Sequence, residues 1–126
     1  NANVVYCFTP KQGFSKFGSY TGNGNADGPF IYTGFRPAWI ITKRTDSSGN
    51  WHLYDNKRLG YNVDNNPLKP NNNESTDTAD FIDIVSNGFK SRSTDAAMNA
   101  SGGTYIYAAF AEQPFVNSNG VPCNAR

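Results

Sequence analysis

The sequence has very little leucine, methionine, histidine and cysteine. Its 126 residues include three Leu, one Met, one His and two Cys. No run of about 18 apolar residues occurs, which argues against a membrane-spanning helix, and no basic segment precedes an apolar one as in a secretory signal peptide. The net charge is +1 and basic residues occur singly or in pairs, whereas a nucleic-acid-binding surface usually carries a basic stripe. We therefore expect neither nucleic-acid binding nor membrane insertion.

The scarcity of histidine also argues against an enzyme. His52 has the one side chain whose ordinary pKa lies near neutrality. If Trp51 and Leu53 point from their strand into the protein core, His52 points to solvent. No GxSxG motif occurs, and a cysteine nucleophile would have to pair Cys7 or Cys123 with this histidine. We therefore expect no catalytic residue and no enzymatic activity.

The two cysteines lie near opposite ends of the sequence. Cys7 and Cys123 either form one disulfide that ties the two ends together or remain two unpaired thiols. A structural zinc site is not expected, because the sequence has one histidine and no CxxC motif. The pairing of the cysteines stays open at this point.

The abundant residues favour β structure. Nine Phe, seven Tyr, two Trp and twelve Ile or Val occur, and these types are enriched in strands. They form short runs separated by Gly, Pro, Asn and Asp, and no helical pattern is found. Seven or eight short strands of this kind fit a two-sheet antiparallel sandwich or a small barrel. We predict strands at residues 4–9, 14–20, 30–33, 38–43, 51–54, 81–85, 89–92 and 104–111.

Two pairs of these strands have the spacing of hairpins. The strands at 38–43 and 51–54 are separated by the turn-forming residues 46–50. The strands at 81–85 and 89–92 flank an Asn-Gly pair, which is typical of hairpin turns in which both residues adopt positive φ. We therefore expect each pair to be antiparallel neighbours.

The segment of residues 60–79 is rich in asparagine and contains two prolines, which predicts a long surface loop. Loops of this length in a compact domain are usually functional or disordered. Sugars are bound by flat aromatic rings beside planar amides and carboxylates, which supply paired hydrogen bonds. An Asn-rich loop can also simply be well solvated. The candidate ligand-binding residues are Trp51, Tyr54, Tyr61, Asn62, Asp64 and Asn66.

A second polar segment partly matches a calcium-binding loop. Asn23, Asn25 and Asp27 alternate and precede Gly28, as in the first half of an EF-hand loop. The twelfth position is Gly34 where that motif has Glu. The segment is therefore either a weak Ca²⁺ site or a plain polar turn, and no other cofactor is indicated.

Two further motifs indicate structural roles. Asp55 and Arg58 are placed to form a local ion pair at the end of a strand, which predicts a structural corner. The Asn-X-Ser sequences that begin at Asn73 and Asn99 are glycosylation acceptors only in a glycosylating compartment. We expect both to be chance occurrences in an Asn-rich chain.

Residues 4–10 resemble residues 106–112 at an offset of 102 positions. Three explanations are open. The two segments are strands of one sandwich that share composition by chance, or the first segment is the last strand of a preceding repeat, or it completes the sheet of a neighbouring subunit. These alternatives stay open. We accordingly divide the chain into a strand of a possible preceding repeat (1–10), a β-sandwich domain (11–115) and a C-terminal tail (116–126).

Five motifs together resemble one family over nearly the whole range from residue 6 to residue 115. This family is a domain that occurs repeatedly, often near the C-terminus, in bacteriophage virion proteins. Many of these proteins are described as tail fibre or tail proteins, and some as concanavalin-like or laminin-G-like lectins. The motifs lie at residues 13–24, 34–45, 51–58, 80–81 with 86–90, and 99–115.

The resemblance implies a jelly-roll or concanavalin-like sandwich on the virion surface that attaches to a host-surface glycan. It supplies no catalytic residue. It also implies a homo-oligomer, with a trimer favoured, that contacts other virion proteins. Because phage particles assemble in a reducing cytoplasm, it favours free thiols at Cys7 and Cys123.

Three functions follow as hypotheses. The first is a tail fibre or spike domain that binds host glycans through the loop of residues 60–79. The second is a non-catalytic structural virion protein, such as a capsid decoration or a fibre-assembly module. The third, a sugar hydrolase, would need two carboxylates a few ångström apart. Asp80 and Asp83 would point to opposite faces of a strand, and Asp55 and Asp64 flank a loop and could meet, but among eight Asp this is a weak signal.

Overall fold

The computed structural model describes residues 2–58, 62, 66–75, 78–115 and 119, and these residues form two antiparallel sheets. The order in the four-stranded sheet is β1-β7-β3-β4, and that in the three-stranded sheet is β2-β6-β5. No helix within the described residues is long and apolar enough to cross a membrane. The elements are β1 (Ser15–Thr21), β2 (Phe30–Tyr32), β3 (Pro37–Arg44), β4 (His52–Asp55), β5 (Ile82–Val85), β6 (Gly88–Ser91), α1 (Ala96–Asn99) and β7 (Thr104–Ala111).

The predicted all-β two-sheet sandwich is confirmed. Both predicted hairpins are present: β3 pairs with β4 and β5 pairs with β6, each antiparallel. The last strand, β7, lies between β1 and β3 and pairs with both along its length. The first predicted strand is the exception, because residues 4–9 are exposed and belong to neither sheet.

The core lies between the two sheets. Side chains of alternate residues point inward, as the two-residue period of a strand requires. Ile40 and Tyr54 are paired across β3 and β4 and are both fully buried. The buried apolar cluster comprises Ile31, Phe35, Ile40, Tyr54, Phe81, Ile82, Ile84, Phe89, Met98, Tyr107 and Ala109.

The orientation of β4 differs from the one predicted for His52. The imidazole is buried and meets the Phe81 ring edge-on, with 5.9 Å between ring centroids. Its neighbour Leu53 is opposite Ile41 on the other face of the sheet. Because Tyr54 and His52 share the inward face, the solvent-facing histidine of the sequence prediction is wrong.

The β5–β6 hairpin has a different turn from the one that Asn-Gly predicts. Val85 pairs with Gly88, so Ser86 and Asn87 form the turn and Gly88 begins β6. Neither Asn87 nor Gly88 has positive φ. The glycine is needed for another reason: a Cβ at this position would overlap the carbonyl oxygen of Ile31 on the adjacent β2.

The segment of residues 93–103 contains one helical turn, α1, although the sequence showed no helical pattern. Asp95 caps it by accepting a hydrogen bond from Ala97 N at 2.7 Å, as side chains at helix N-termini do. The Tyr105 hydroxyl accepts from Ala100 N at 2.8 Å and donates to Ala96 O at 2.7 Å. A turn this short has too few residues to show a helical hydrophobic period.

Asn99, at the end of α1, holds three loops together. Its side chain is fully buried. Its Nδ2 lies within hydrogen-bond distance of Asn23 Oδ1 (3.0 Å), Asn25 O (2.7 Å) and Ser93 O (2.9 Å), and its Oδ1 accepts from Asn23 N at 2.8 Å. A side chain engaged in this way is not accessible to glycosylation.

The sandwich has one closed side and one open side. At the edge of β4, Leu53 and Leu68 exchange two backbone hydrogen bonds of 2.9 Å. At the edge of β5, the Asn62 amide bonds to the backbone of Ile84. The opposite edges, β1 from Lys16 onward and β2, pair with no further described strand.

Candidate functional site

The predicted sugar-binding residues do not form one exposed group. Tyr54 is fully buried in the core, so its ring offers no face to a ligand, and including it in the site was wrong. Tyr61 and Asp64 lie outside the described residues. Asn66 is partly buried, and its Oδ1 is buried without a hydrogen-bond partner among the described residues.

Asn62 is used by the fold. Its Nδ2 donates to Ile84 O at 2.5 Å and its Oδ1 accepts from Ile84 N at 2.7 Å. The amide side chain thereby makes the two bonds that a neighbouring strand would make. Its backbone has φ of 52°, a value that asparagine tolerates better than most residues. These bonds leave its amide little capacity for a sugar.

Of the candidate residues that the structure describes, Trp51 is exposed, at 37%. Its backbone N donates to Asn71 Oδ1 at 2.8 Å, and Asn71 Nδ2 donates to Asn50 Oδ1 at 2.9 Å. The backbone of Trp51 is therefore tied to two linked amides. Asn50 and Asn71 were not in the predicted site, because no local pattern distinguishes them from the other asparagines.

The calcium candidate is a turn closed by its own hydrogen bonds. Asn23 Oδ1 accepts from Asn25 N and Asn25 Oδ1 accepts from Asp27 N, both at 2.9 Å. Asp27 also pairs with Lys90 at 2.6 Å, and this ammonium lowers the pKa of the carboxyl. Within the described part of the chain, no three His, Cys, Asp or Glu residues come together as a metal site. The geometry therefore favours the polar turn.

The Asp55–Arg58 motif forms the corner that was predicted. The two side chains form a short ion pair, and Asp55 Oδ1 accepts from the backbone N of Lys57 (2.9 Å) and of Arg58 (3.0 Å). Burial alone would raise the pKa of Asp55, but these bonds outweigh it and hold the pKa below its usual range. The motif therefore serves the fold.

A further feature lies on the outer face of the four-stranded sheet. Ile41 is opposite Ala108 on β7 and opposite Leu53 on β4, so an apolar row crosses the sheet on the side away from the core. This face carries a cleft of about 490 Å³, which we call the apolar cleft. Its side-chain lining consists mainly of Phe8, Phe17, Trp39, Ile41, Trp51, Ile106, Ala108 and Phe110.

One end of the apolar cleft is an aromatic cluster. Phe110 meets Phe17 at 5.7 Å, Trp39 at 5.5 Å and Phe14 at 6.0 Å between ring centroids, all in edge-to-face geometry. Such pairs add to the stabilisation from burial. The cluster fixes the shape of this end of the apolar cleft, while Ile106 remains 41% exposed.

The segment of residues 2–9, which we call the N-terminal arm, reaches this cluster. Phe8 stacks on Phe17 with 5.6 Å between ring centroids. Beyond it Val4, Val5 and Tyr6 are 77–81% exposed. Exposed apolar side chains are common singly, but a contiguous exposed group marks an interaction surface.

The apolar cleft is suited to binding a partner through the burial of apolar surface. The described residues that line it bring no carboxylate, amide, imidazole or ammonium group, whereas small-molecule sites combine an apolar lining with a few polar groups that fix orientation. Sequence reasoning missed this face because it assigned Trp51 to the loop site. The signal was present in the alternation of β7, where Ile106, Ala108 and Phe110 form an apolar set opposite the buried set.

Comparison with known proteins identifies a family. The sequence of residues 1–114, the N-terminal arm included, matches a family described as a domain of unknown function, DUF7483. Neither the curated proteins nor the solved structures gave a significant match. Since the match spans nearly the whole chain, the chain belongs to the DUF7483 family.

Proposed function

We propose that this domain is a protein-binding assembly module on the surface of a virion, and that the apolar cleft is its contact surface. The observation that carries the proposal is the cleft itself: about 490 Å³ on an exposed sheet face, with a lining that is almost entirely apolar. A soluble domain rarely leaves such a face uncovered. An assembly partner covers it.

A protein partner fits this surface better than a sugar does. Sugar hydroxyls lose hydrogen bonds to water when they are buried and need polar groups in return. The apolar cleft supplies aromatic and aliphatic side chains, such as Trp39 and Ile41, which match the apolar side chains at the centre of a protein interface. The virion location rests on the sequence resemblance to phage tail and fibre domains.

The proposal is tested by placing a charge in the apolar cleft. In phage particles grown with the chain supplied from a plasmid, Ile106→Asp should reduce incorporation of the chain at least tenfold. Tyr32→Asp, on the other sheet and 58% exposed, is the matched control and should incorporate normally. Circular dichroism of both purified variants confirms that they fold. Normal incorporation of a folded Ile106→Asp chain would contradict the proposal.

Host attachment through a glycan is the second candidate, favoured by an exposed Trp51 whose backbone is bonded to the linked amides of Asn71 and Asn50. An aromatic ring next to planar amides is the combination that sugars require. Binding of the domain to a glycan array and to host cells, with and without Ca²⁺, tests it. Trp51→Ala should abolish saturable binding, whereas Tyr32→Ala should leave it intact. Equal binding by both variants would exclude this edge as the sugar site.

A further inference from the structure

We propose that the apolar cleft binds the N-terminal arm of a second copy of this chain, and that two copies exchange arms. The proposal rests on the assembly role proposed above and names the partner. It is supported by the exposure of the arm, by the match between arm and cleft, and by the size of the interface that exchange would create.

The arm exposes more apolar surface than any comparable described segment. Val4 is 79% exposed, Val5 77%, Tyr6 81% and Phe8 67%. The arm belongs to neither sheet, and its polar tie to the described residues is a long hydrogen bond of 3.4 Å from Ser15 Oγ to Thr9 O. Covering these four exposed side chains with a second surface removes apolar area from water and so lowers the free energy.

The arm has the pattern of the strand that lines the apolar cleft. In an extended segment every second side chain points the same way, about 6.8 Å apart. Val4, Tyr6 and Phe8 therefore form one apolar row, which corresponds to Ile106, Ala108 and Phe110 on β7 at the offset of 102 positions. A row of this spacing can lie along the exposed row of β7.

The arm does not fill the cleft of its own chain. Phe8 occupies the end formed by Phe17 and Phe110, and Lys11 is bridged to Ser15 at the start of β1. With that end fixed, Val4 and Tyr6 remain exposed and the cleft stays open. The arm of a second copy is not bridged to β1 of this chain, so it can lie along the open part of the cleft.

The interface area reaches that of a stable pair only when the arms are included. The four strands comprise 27 residues, and at about 3.4 Å per residue and about 4.8 Å between strands they present roughly 440 Å² of sheet face. Two such faces give roughly 880 Å², which is below the lower limit of about 1,000 Å² for a specific protein interface. Exchange of two arms adds their side chains to this area. In a reciprocal pair each copy donates one arm and receives one, which gives a closed assembly.

Paired thiols in the arm and the cleft allow a direct test. Tyr6 belongs to the row that faces the cleft, so Tyr6→Cys with Ile106→Cys, in a background of Cys7→Ser and Cys123→Ser, places one thiol in the arm and one in the cleft. After mild oxidation, non-reducing electrophoresis and peptide mass spectrometry should show a disulfide between the arm thiol of one copy and the cleft thiol of another. The same protein with Tyr6 retained is the control and should not cross-link.

Sedimentation velocity of the unmodified chain provides the second measurement. Tyr6→Asp changes a side chain that is 81% exposed, so it should not affect folding, and it should weaken self-association at least tenfold. Tyr32→Asp should leave it unchanged. A monomer at all concentrations, a disulfide between the two introduced thiols of one chain, or cross-linking that persists when Tyr6 is retained would each overturn the proposal. If Ile106→Asp impairs incorporation while the chain is monomeric, the assembly role stands and the partner is a different protein.

Discussion

Replacement of Asn99 by alanine tests how the loops around α1 are held. Asn99 is fully buried; its Oδ1 accepts from Asn23 N, and the two hydrogens of its Nδ2 are shared among oxygens of Asn23, Asn25 and Ser93. Alanine removes these contacts and leaves three backbone groups without their partner. Because buried backbone groups are costly when unsatisfied, Asn99→Ala should destabilise the domain strongly.

The size of the effect follows from the partners. Each lost hydrogen bond costs about 1 kcal/mol net, and a buried group left unpaired costs about 1–3 kcal/mol. Water can reach the exposed Asn23 and Asn25, whereas Ser93 is partly buried, so the sum is about 3 kcal/mol rather than the upper limit. Asn99→Asp should cost more, because it replaces the donating amide by a carboxylate facing carbonyl oxygens.

Urea unfolding followed by tryptophan fluorescence measures the free energy of unfolding of each variant. We expect an unchanged dependence on denaturant and a lower midpoint for Asn99→Ala, with a melting temperature lower by about 10 °C. Asn73→Ala, at an exposed position in the same sequence pattern, is the control and should change stability by less than about 0.5 kcal/mol. A loss below about 1 kcal/mol for Asn99→Ala would refute the reasoning.

Three further predictions concern strand packing and titration. Gly88→Ala should lower the free energy of unfolding by about 2–3 kcal/mol through its overlap with β2, whereas Gly49→Ala, in open space, should be nearly neutral in the same urea titration. Asp55→Asn should cost about 1 kcal/mol at pH 7; since the folded pKa is lowered, this difference should be lost as the pH falls below about 4, and a pH-independent difference would contradict it. Burial, and secondarily Tyr105, raises the pKa of Tyr20 far above 10, so stability should fall as the pH rises past about 10. Absorbance at about 295 nm should show tyrosines ionising with unfolding, and since burial also raises the pKa of Tyr105 and Tyr107, Tyr20→Phe should make this step smaller without removing it.

The strands were predictable because their signals are local. Pro37 and the turn residues 46–50 bound β3, and the alternation of residues 104–111 gives the bounds of β7 as observed. Such patterns depend on neighbours in sequence. The β-sandwich followed from the number and spacing of these strands.

The candidate site was less predictable because it depends on which face of each strand is buried. In β4 the side chains of His52 and Tyr54 are buried and Leu53 faces outward, which is the reverse of the predicted orientation. A two-residue period alone does not decide which face of a strand is buried. The N-terminal arm has a strand's composition but pairs with no strand that the structure describes. The amino-acid composition of a segment indicates its tendency to form a strand, but the strand forms only where an open sheet edge or surface lies nearby.

The side-chain amide of Asn62 has a consequence for aggregation. Together with the Leu53–Leu68 bridge it shields the β4 and β5 edges, so growth by strand addition is possible from one side of the sandwich only. A unit with open edges on both sides can polymerise without end. This domain has its open edges, β1 and β2, on one side, so strand addition joins it to a single neighbour and then stops. The shielded edges therefore limit fibre growth by strand addition, although the domain also carries an exposed apolar arm and an apolar face.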